Sequence, residues 1–409
     1  MSMNCRMCGS TALYRFLDLG FAPPADQFRR KDQLREPVVH YPLQVLMCDQ
    51  CGLAQLSHVV SPEVLYRNDY PYESSTTRTG REHWAEFAAS VAQRLDLRPQ
   101  DLVVDIGSNV GVLLNAFRAR GLKVQGVDPA ANIVLLARAN GIDTLCEFFN
   151  ADVARQIVAQ KGRAAVITAT NVFAHVDDLD AFVKSVIELL DTNGVFIFEA
   201  PYLANLLRQN EYDTIYHEHL SYLSVQPLIP FFGRHGLEVF DIEQRDIHGG
   251  SFRVFVARRG QRPIGAEVGR LLQAETAEGI HRHDVLEAFA KGVRDNKQAL
   301  QWLLQALKHE GKRIAAVSAP AKGMTLLNYC GLDTDLIDFV TEKSQLKIGR
   351  YTPGAHIPVL ADSALLVRQP DYALLLAWNF ADEIMHNLDD FRRRGGKFII
   401  PIPTPRIVD

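Results

Sequence analysis

No stretch of the chain stays apolar for the about 18 residues that a membrane-spanning helix needs, and its first residues, MSMNCRMCGS, hold no apolar signal core. Both absences predict a cytoplasmic protein with no membrane partner. Positive charge is not in excess: 44 Lys and Arg face 48 Asp and Glu, a formal net charge of −4. Proteins that bind nucleic acid advertise it with a basic surplus, so that partner class is not expected. There is no repeat of fixed period and no low-complexity segment. Cysteine is scarce, with 6 in 409 residues, yet four of them fall into two pairs. What remains is an ordinary globular composition, 47% hydrophobic and 22% charged, long enough for about two to three domains.

The paired cysteines are Cys5-x2-Cys8 and Cys48-x2-Cys51. In a reducing compartment two CxxC knuckles favour a metal over disulfides. Four thiolates close a tetrahedral zinc shell and leave no position for water, which predicts a structural rather than a catalytic ion. A segment of this size buries little core, and a metal is a natural staple for it. Cys146 and Cys330 stand in apolar surroundings and are expected to be small buried side chains.

Downstream, apolar strand-like runs alternate with helical stretches. Leu102–Ile106, Lys123–Val127, Ala164–Thr170 and Gly194–Ala200 read as strands, and residues 82–95, 112–120, 130–140 and 179–190 as helices. Such alternation implies a parallel sheet covered on both faces. Residues 237–244 and 251–257 read as a hairpin, and 266–310 as a charged helical connector. Alternation then returns, with strands expected at 313–318, 336–340, 372–377 and 397–402. The predicted organisation is α/β in three parts: a zinc-binding domain over 1–65, a Rossmann-like core over 66–265, and the connector with a C-terminal Rossmann-like domain over 266–409.

Between the first core strand and its helix lies Val103-Val-Asp-Ile-Gly-Ser-Asn-Val-Gly111. Asp105, Gly107 and Gly111 form D-x-G-x-x-x-G, with Asn109 inside it, and glycines there let a ligand approach the backbone. The next strand runs into Asp128, placed to accept from two ribose hydroxyls. The second close glycine of a dinucleotide site is missing. A phosphate-free nucleoside carrying a sulfonium fits this acidic loop better. The pattern resembles motif I of class I S-adenosylmethionine (SAM)-dependent methyltransferases. Asn171, just after the strand Ala164–Thr170, is a further candidate for the cofactor.

The most polar and aromatic stretch is Asn210-Glu-Tyr-Asp-Thr-Ile-Tyr-His-Glu-His-Leu-Ser-Tyr222. Tyr216, Glu218 and His219 put a hydroxyl, an acid and an imidazole within four residues, and His219 is the candidate general base. His217 and His219 as a metal pair is the lesser reading, because the spacing is not H-E-x-x-H and no third ligand is evident. His175 follows another strand end and faces the same cleft in a doubly wound sheet. His248, His281, His283, His356 and His386 show no comparable setting.

Taken in order, the paired CxxC knuckles, DIGSNVG, NVFAH, YDTIYHEHLSYLS and SAPAKGMTLLNYCG…GRYTPGAHIP resemble the nucleotide-sugar C-methyltransferases over essentially the whole chain. That resemblance implies a sugar nucleotide lying between a SAM-binding core and a C-terminal domain. It places the family's site residues on Tyr70, His175, Tyr216, Glu218 and His219. The implied reaction is methylation at C3 of a nucleoside-diphosphate (dTDP) 4-keto-6-deoxy sugar through an enolate raised by His219, with C5 attack or an oxygen or nitrogen acceptor as alternatives. Lys322, Gly323 and Thr325, after a strand and before a helix, are expected to hold the diphosphate. Lys347 and Tyr351 are expected to line the same cleft. TEKSQLKIG departs from a family stretch that usually carries Asp and His before the Lys.

Overall fold

The computed structural model describes residues 3–67, 69–74, 78–247 and 249–409; His248 lies outside these described residues. Three sheets organise them. The first is antiparallel and four-stranded. Leu13–Ala22, Tyr41–Cys48 and Ala54–Leu56 come from the cysteine module, but the fourth strand, Ser221–Tyr222, is the end of the histidine-rich segment. Ala54 pairs with Tyr222 and Gln55 with Ser221.

The second sheet has seven strands in the order Leu237–Arg245, Ser251–Arg258, Leu190–Pro201, Ala164–Thr170, Leu102–Ile106, Lys123–Val127, Thr144–Leu145. Leu102–Ile106 is buried along its whole length, as a parallel strand covered on both faces must be. It runs parallel to both neighbours, while Ser251–Arg258 runs antiparallel to Leu190–Pro201. Strand order reverses between Leu102–Ile106 and Ala164–Thr170. The crevice outside their carboxyl ends is where such sheets hold ligands. Asp178 and Asn150 cap the helices Leu179–Leu189 and Ala151–Lys161 through their side-chain oxygens.

The third sheet runs Val359–Ala361, Val340–Glu342, Ile314–Val317, Tyr372–Leu375, Lys397–Ile400, Arg406–Val408, parallel except for the last strand. The strand expected at 336–340 lies further along. Leu336 and Ile337 turn back onto the Asp333 carbonyl, and sheet pairing begins only where Asp338 N–H meets the Ile314 carbonyl. Residues 336, 337 and 339 are apolar because the turn is packed inward.

The expected connector is two helices, Ala266–Glu278 and His283–His309. The longer one buries Leu286, Phe289, Ala290, Val293, Leu300, Leu304 and Leu307 at helical spacing. Phe289 packs on Phe16 of the cysteine module, ring centroids 6.4 Å apart. Gln301 donates to the Cys330 carbonyl of the C-terminal domain at 2.7 Å. The helix is thus a shared wall between modules. His281 and His283 belong to the same joint, contacting Ser224 Oγ at 2.9 Å and Asp49 at 2.8 Å. Cys330 is buried and Cys146 half-buried. No helix among the described residues is long and apolar enough to cross a membrane.

Candidate active site

Gly107 and Gly111 adopt left-handed φ values of +67° and +81°, which cost glycine little. A Cβ on Gly107 would be driven into the Val172 side chain, and one on Gly111 would stand 2.7 Å from Ile142 Cγ1. The loop is therefore tight as well as turned. Asp128 accepts from Asn109 N through Oδ2 and from Ala130 N through Oδ1, both at 2.9 Å. Each oxygen keeps a lone pair, so this pair of acceptors suits the hydroxyls of a vicinal diol such as ribose. Asp105 accepts from Thr168 Oγ1 at 2.6 Å, and burial raises its carboxyl to about 7. Asn171, also left-handed at φ +54°, ends its strand by donating from N to the Glu199 carbonyl. The residues expected from the sequence to hold SAM lie together at the sheet's switch point, and their chemistry fits that cofactor.

Five residues singled out in the sequence meet beside this crevice. His219 lies between His175, ring centroids 4.9 Å away, and Tyr216, 4.0 Å away. Tyr70 donates from its hydroxyl to Glu218 Oε2 at 3.0 Å. His175 Nδ1 contacts the Tyr66 hydroxyl at 3.4 Å, while its Nε2 is buried without a hydrogen bond. Burial lowers the His175 pKa to about 4, so the imidazole is neutral at ordinary pH. Burial, then repulsion from Asp26, lifts Glu218 well above the usual carboxylate range. His217 points elsewhere: its Nε2 meets the Tyr41 carbonyl at 3.3 Å, in the cysteine module. Its spacing from His219 therefore does not bring the two rings to one ion.

A loop closes the cluster by bonding to all sides. Tyr70 N and O meet the Asn132 side chain at 3.2 and 2.8 Å. Asn109 donates to the Tyr72 carbonyl at 3.0 Å and accepts from Ser74 N at 3.0 Å. Arg350 grips Asp69 with two bonds of 2.8 Å each. Asn109 thus ties the aromatic loop down with its side chain, while its backbone N–H holds Asp128.

On the C-terminal side, Lys347 Nζ donates to the Ala319 carbonyl at 2.7 Å and lies 3.3 Å from Asp26 Oδ1. Lys322 sits over the Trp378 ring at 4.3 Å and 3.7 Å from Asp213, and its Nζ makes no hydrogen bond. Gly323 packs so closely that a Cβ would stand 2.7 Å from Leu376 Cβ. Thr325 donates to the Ile215 carbonyl at 3.1 Å, next to the histidine-rich segment. Tyr351 exchanges backbone hydrogen bonds of 2.9 and 2.8 Å with Arg29. Sequence reasoning passed over Asp26, Tyr66 and Tyr72. The clue available was an acid inside the apolar, proline-bearing run Phe21-Ala-Pro-Pro-Ala-Asp-Gln-Phe28 and two further tyrosines flanking Tyr70.

Ligand atoms of Cys5, Cys8, Cys48 and Cys51 all lie within 4.8 Å of one another, with Cys5–Cys51 and Cys8–Cys48 sulfurs 3.5 Å apart. Sulfurs bound to one tetrahedral zinc at about 2.3 Å would be about 3.8 Å apart, so the cluster fits that ion. All four candidate ligands are cysteine sulfurs, a set that suits a structural ion.

The sheet order, the glycine loop and the crevice at the switch point define a class I SAM-dependent methyltransferase. Family models agree along the chain: "Putative zinc binding domain" over residues 5–66, "Methyltransferase domain" over 79–242 and "C-methyltransferase C-terminal domain" over 246–403. The chain is 36% identical over 406 residues to the C-methyltransferase NovU of Streptomyces niveus, covering 99% of this chain and 96% of that one. It belongs to this family of zinc-binding C-methyltransferases. Among solved structures, a SAM-dependent methyltransferase of Clostridium acetobutylicum shares 13% identity over 44% of this chain and 92% of its own, with a TM-score of 0.35. Magnesium protoporphyrin IX methyltransferase of Synechocystis with SAH shares 14% over 46% of this chain and 90% of its own, again with a TM-score of 0.35. Neither carries any part of the assignment.

Proposed function

We propose that this methyltransferase places a methyl group on C3 of a nucleoside-diphosphate 4-keto-6-deoxy sugar, dTDP-linked, through an enolate. The observation that carries the reading is the packing of His219 between His175 and Tyr216, beside Glu218, whose carboxyl burial raises well above the usual range. Carbon is a poor nucleophile until a proton is removed from it, and a neighbouring ketone makes that removal feasible. His219 takes the C3 proton. The C–H electron pair becomes the C3–C4 double bond, and the C4 carbonyl oxygen becomes the enolate oxygen.

Negative charge develops on that oxygen only as the transition state forms, so fixed donors act there selectively. The candidates are Tyr216, the unpartnered Nε2 of neutral His175, and the protonated carboxyl of Glu218. A buried neutral acid is a hydrogen-bond donor that an ionised one cannot be. The cofactor, when bound, supplies the electrophilic methyl. The residues expected to hold it are Asp105, Gly107, Asn109, Gly111, Asp128 and Asn171. With the cofactor bound, C3 would take its methyl group while the enolate collapses back to the C4 carbonyl. Holding both reactants together contributes up to about 7–11 kcal/mol in well-oriented systems. Lys322, which is ion-paired with Asp213 but makes no hydrogen bond, and Lys347 flank the loop of Gly323 and Thr325, where the diphosphate is expected; Tyr351 adjoins them.

The test is C3 deuterium exchange in D2O, with and without SAM. Wild-type protein should wash in deuterium without turnover, and His219→Gln should lose exchange and methylation together by about 10²- to 10⁴-fold. Methylation that proceeds with no C3 exchange, in a variant lacking His219, would overturn the mechanism.

A further inference from the structure

The loop of residues 21–28 leaves the cysteine module and lodges against the C-terminal domain. Its seat is fixed by the Arg29–Tyr351 backbone exchange at 2.9 and 2.8 Å. Pro23 fills the space beside Gly354, where a Cβ would come within 3.1 Å of its ring. This docking carries Asp26 into the protein until it is only 9% exposed. There Asp26 Oδ1 makes no hydrogen bond. Lys347 Nζ is 3.3 Å from it, but that ammonium donates to the Ala319 carbonyl and lies 4.8 Å from the Phe28 ring centroid.

Asp26 is also a neighbour of the catalytic cluster. Its charge raises the Glu218 carboxyl and the phenols of Tyr66, Tyr70, Tyr72 and Tyr216, next to the larger effect of burial. Asp26 Oδ1 is buried with Lys347 as its ion-pair partner at 3.3 Å, yet it accepts no hydrogen bond. A buried acceptor without a hydrogen bond is costly, and a ligand that supplies one gains from it. The phenols do not relieve it: the Tyr70 hydroxyl is given to Glu218 and that of Tyr66 to His175. A ligand hydroxyl or amino group at this oxygen would supply the hydrogen bond it lacks.

We infer that Asp26 is an acceptor-binding residue supplied by the zinc module, its Oδ1 accepting a hydrogen bond from a hydroxyl or amino group on the sugar ring. This rests on the acceptor class proposed above. It gives the zinc module a direct part in choosing the substrate. The competing account makes Asp26 a strut that holds Lys347. A strut would change the affinity for every acceptor, and for free dTDP, alike. A recognition group changes the ratio between acceptors that carry the donor and those that lack it.

The experiment uses full-length, zinc-loaded protein and four dTDP-4-keto-6-deoxy sugars: the 2,3-dihydroxy parent and its 2-deoxy, 3-deoxy and 3-amino analogues. Wild type should prefer the donor-bearing acceptors at one ring position. Asp26→Asn should raise KM for those acceptors about 10- to 100-fold and bring the ratio close to one. Zinc content, SAM affinity and dTDP affinity should hold. The hydroxyl and amino analogues separate the two kinds of donor. An unchanged ratio in Asp26→Asn, or a wild-type ratio already near one, overturns the assignment. So does an equal loss for all acceptors with weakened dTDP binding, which is the strut. If Asp26→Asn fails to retain zinc, Asp26→Ser carries the same comparison, and the wild-type ratio is read without any variant. Wild type that turns over none of the four sugars removes the acceptor class itself, a result distinct from any of these.

Discussion

Glu218 sits among phenols, and a carboxylate there has lost its water. Burial dominates its upward shift, the charge of Asp26 adds to it, and the Tyr70 hydrogen bond and Lys347 offset only part. The acid is neutral below its raised pKa and donates a proton in a hydrogen bond; above that pKa it becomes an anion facing an enolate. We expect kcat to fall on the alkaline side as Glu218 ionises. Glu218→Gln keeps a donor that does not ionise, so it should retain kcat within about tenfold near neutrality and lose that alkaline limb. A pH–rate profile at saturating substrate decides this, and an alkaline limb identical in the variant would discard the role. His175 acts in the opposite sense: held at about 4, it stays uncharged across the same range.

The element that makes the cofactor crevice is the strand–loop–helix from Leu102 to Arg118. Gly107 there bears both a left-handed φ and a closed environment, whereas Gly121, with φ +84°, would have nothing within 4 Å of an added Cβ. Gly121→Ala should cost only the conformational strain, about 1–2 kcal/mol. Gly107→Ala should add an overpacking cost of about 1–3 kcal/mol and weaken SAM binding more than tenfold, because relief requires Val172 or the loop to move. Denaturant melts and SAM calorimetry on both variants check the difference; equal effects would show that the crevice tolerates the shift. This loop was legible in the chain because its strand is a continuous apolar run and its glycines have fixed offsets. Leu13–Ala22 was not: register shifts at Arg15/Leu17 and Asp18/Phe21 break its alternation. Nor could two residues, Ser221–Tyr222, announce themselves as a strand; they become one only because Ala54 and Gln55 present an edge.

At the scale of the whole molecule, the same edge explains which parts of the site sequence could reveal. Tyr216, Glu218 and His219 are near neighbours in the chain, so their chemistry shows without a fold. Asp26, Tyr66 and Lys347 meet only because three modules dock, and no spacing records that. The docking also links the cysteine cluster to His219, the proposed base, which it does not touch. Cys48 ends the strand Tyr41–Cys48, whose Val45 pairs with Leu56, and Leu56 N donates to the Leu220 carbonyl at 3.0 Å, next to His219. Arg6, between two of the cysteines, donates to the Leu56 and Leu220 carbonyls at 3.0 and 3.3 Å. The SAM crevice belongs to a different sheet. Zinc loss should therefore act unequally. Cys48→Ser, or chelation of the wild type, should lower Tm by more than about 5 °C and lower kcat more than tenfold by releasing the strand that sets His219. SAM affinity should change only a few-fold. Added zinc should restore the chelated wild type and not the variant. Metal analysis, melting curves, SAM calorimetry and turnover on the same samples test the order of these losses. A zinc-free protein with full kcat would show that His219 is held without the four-stranded sheet.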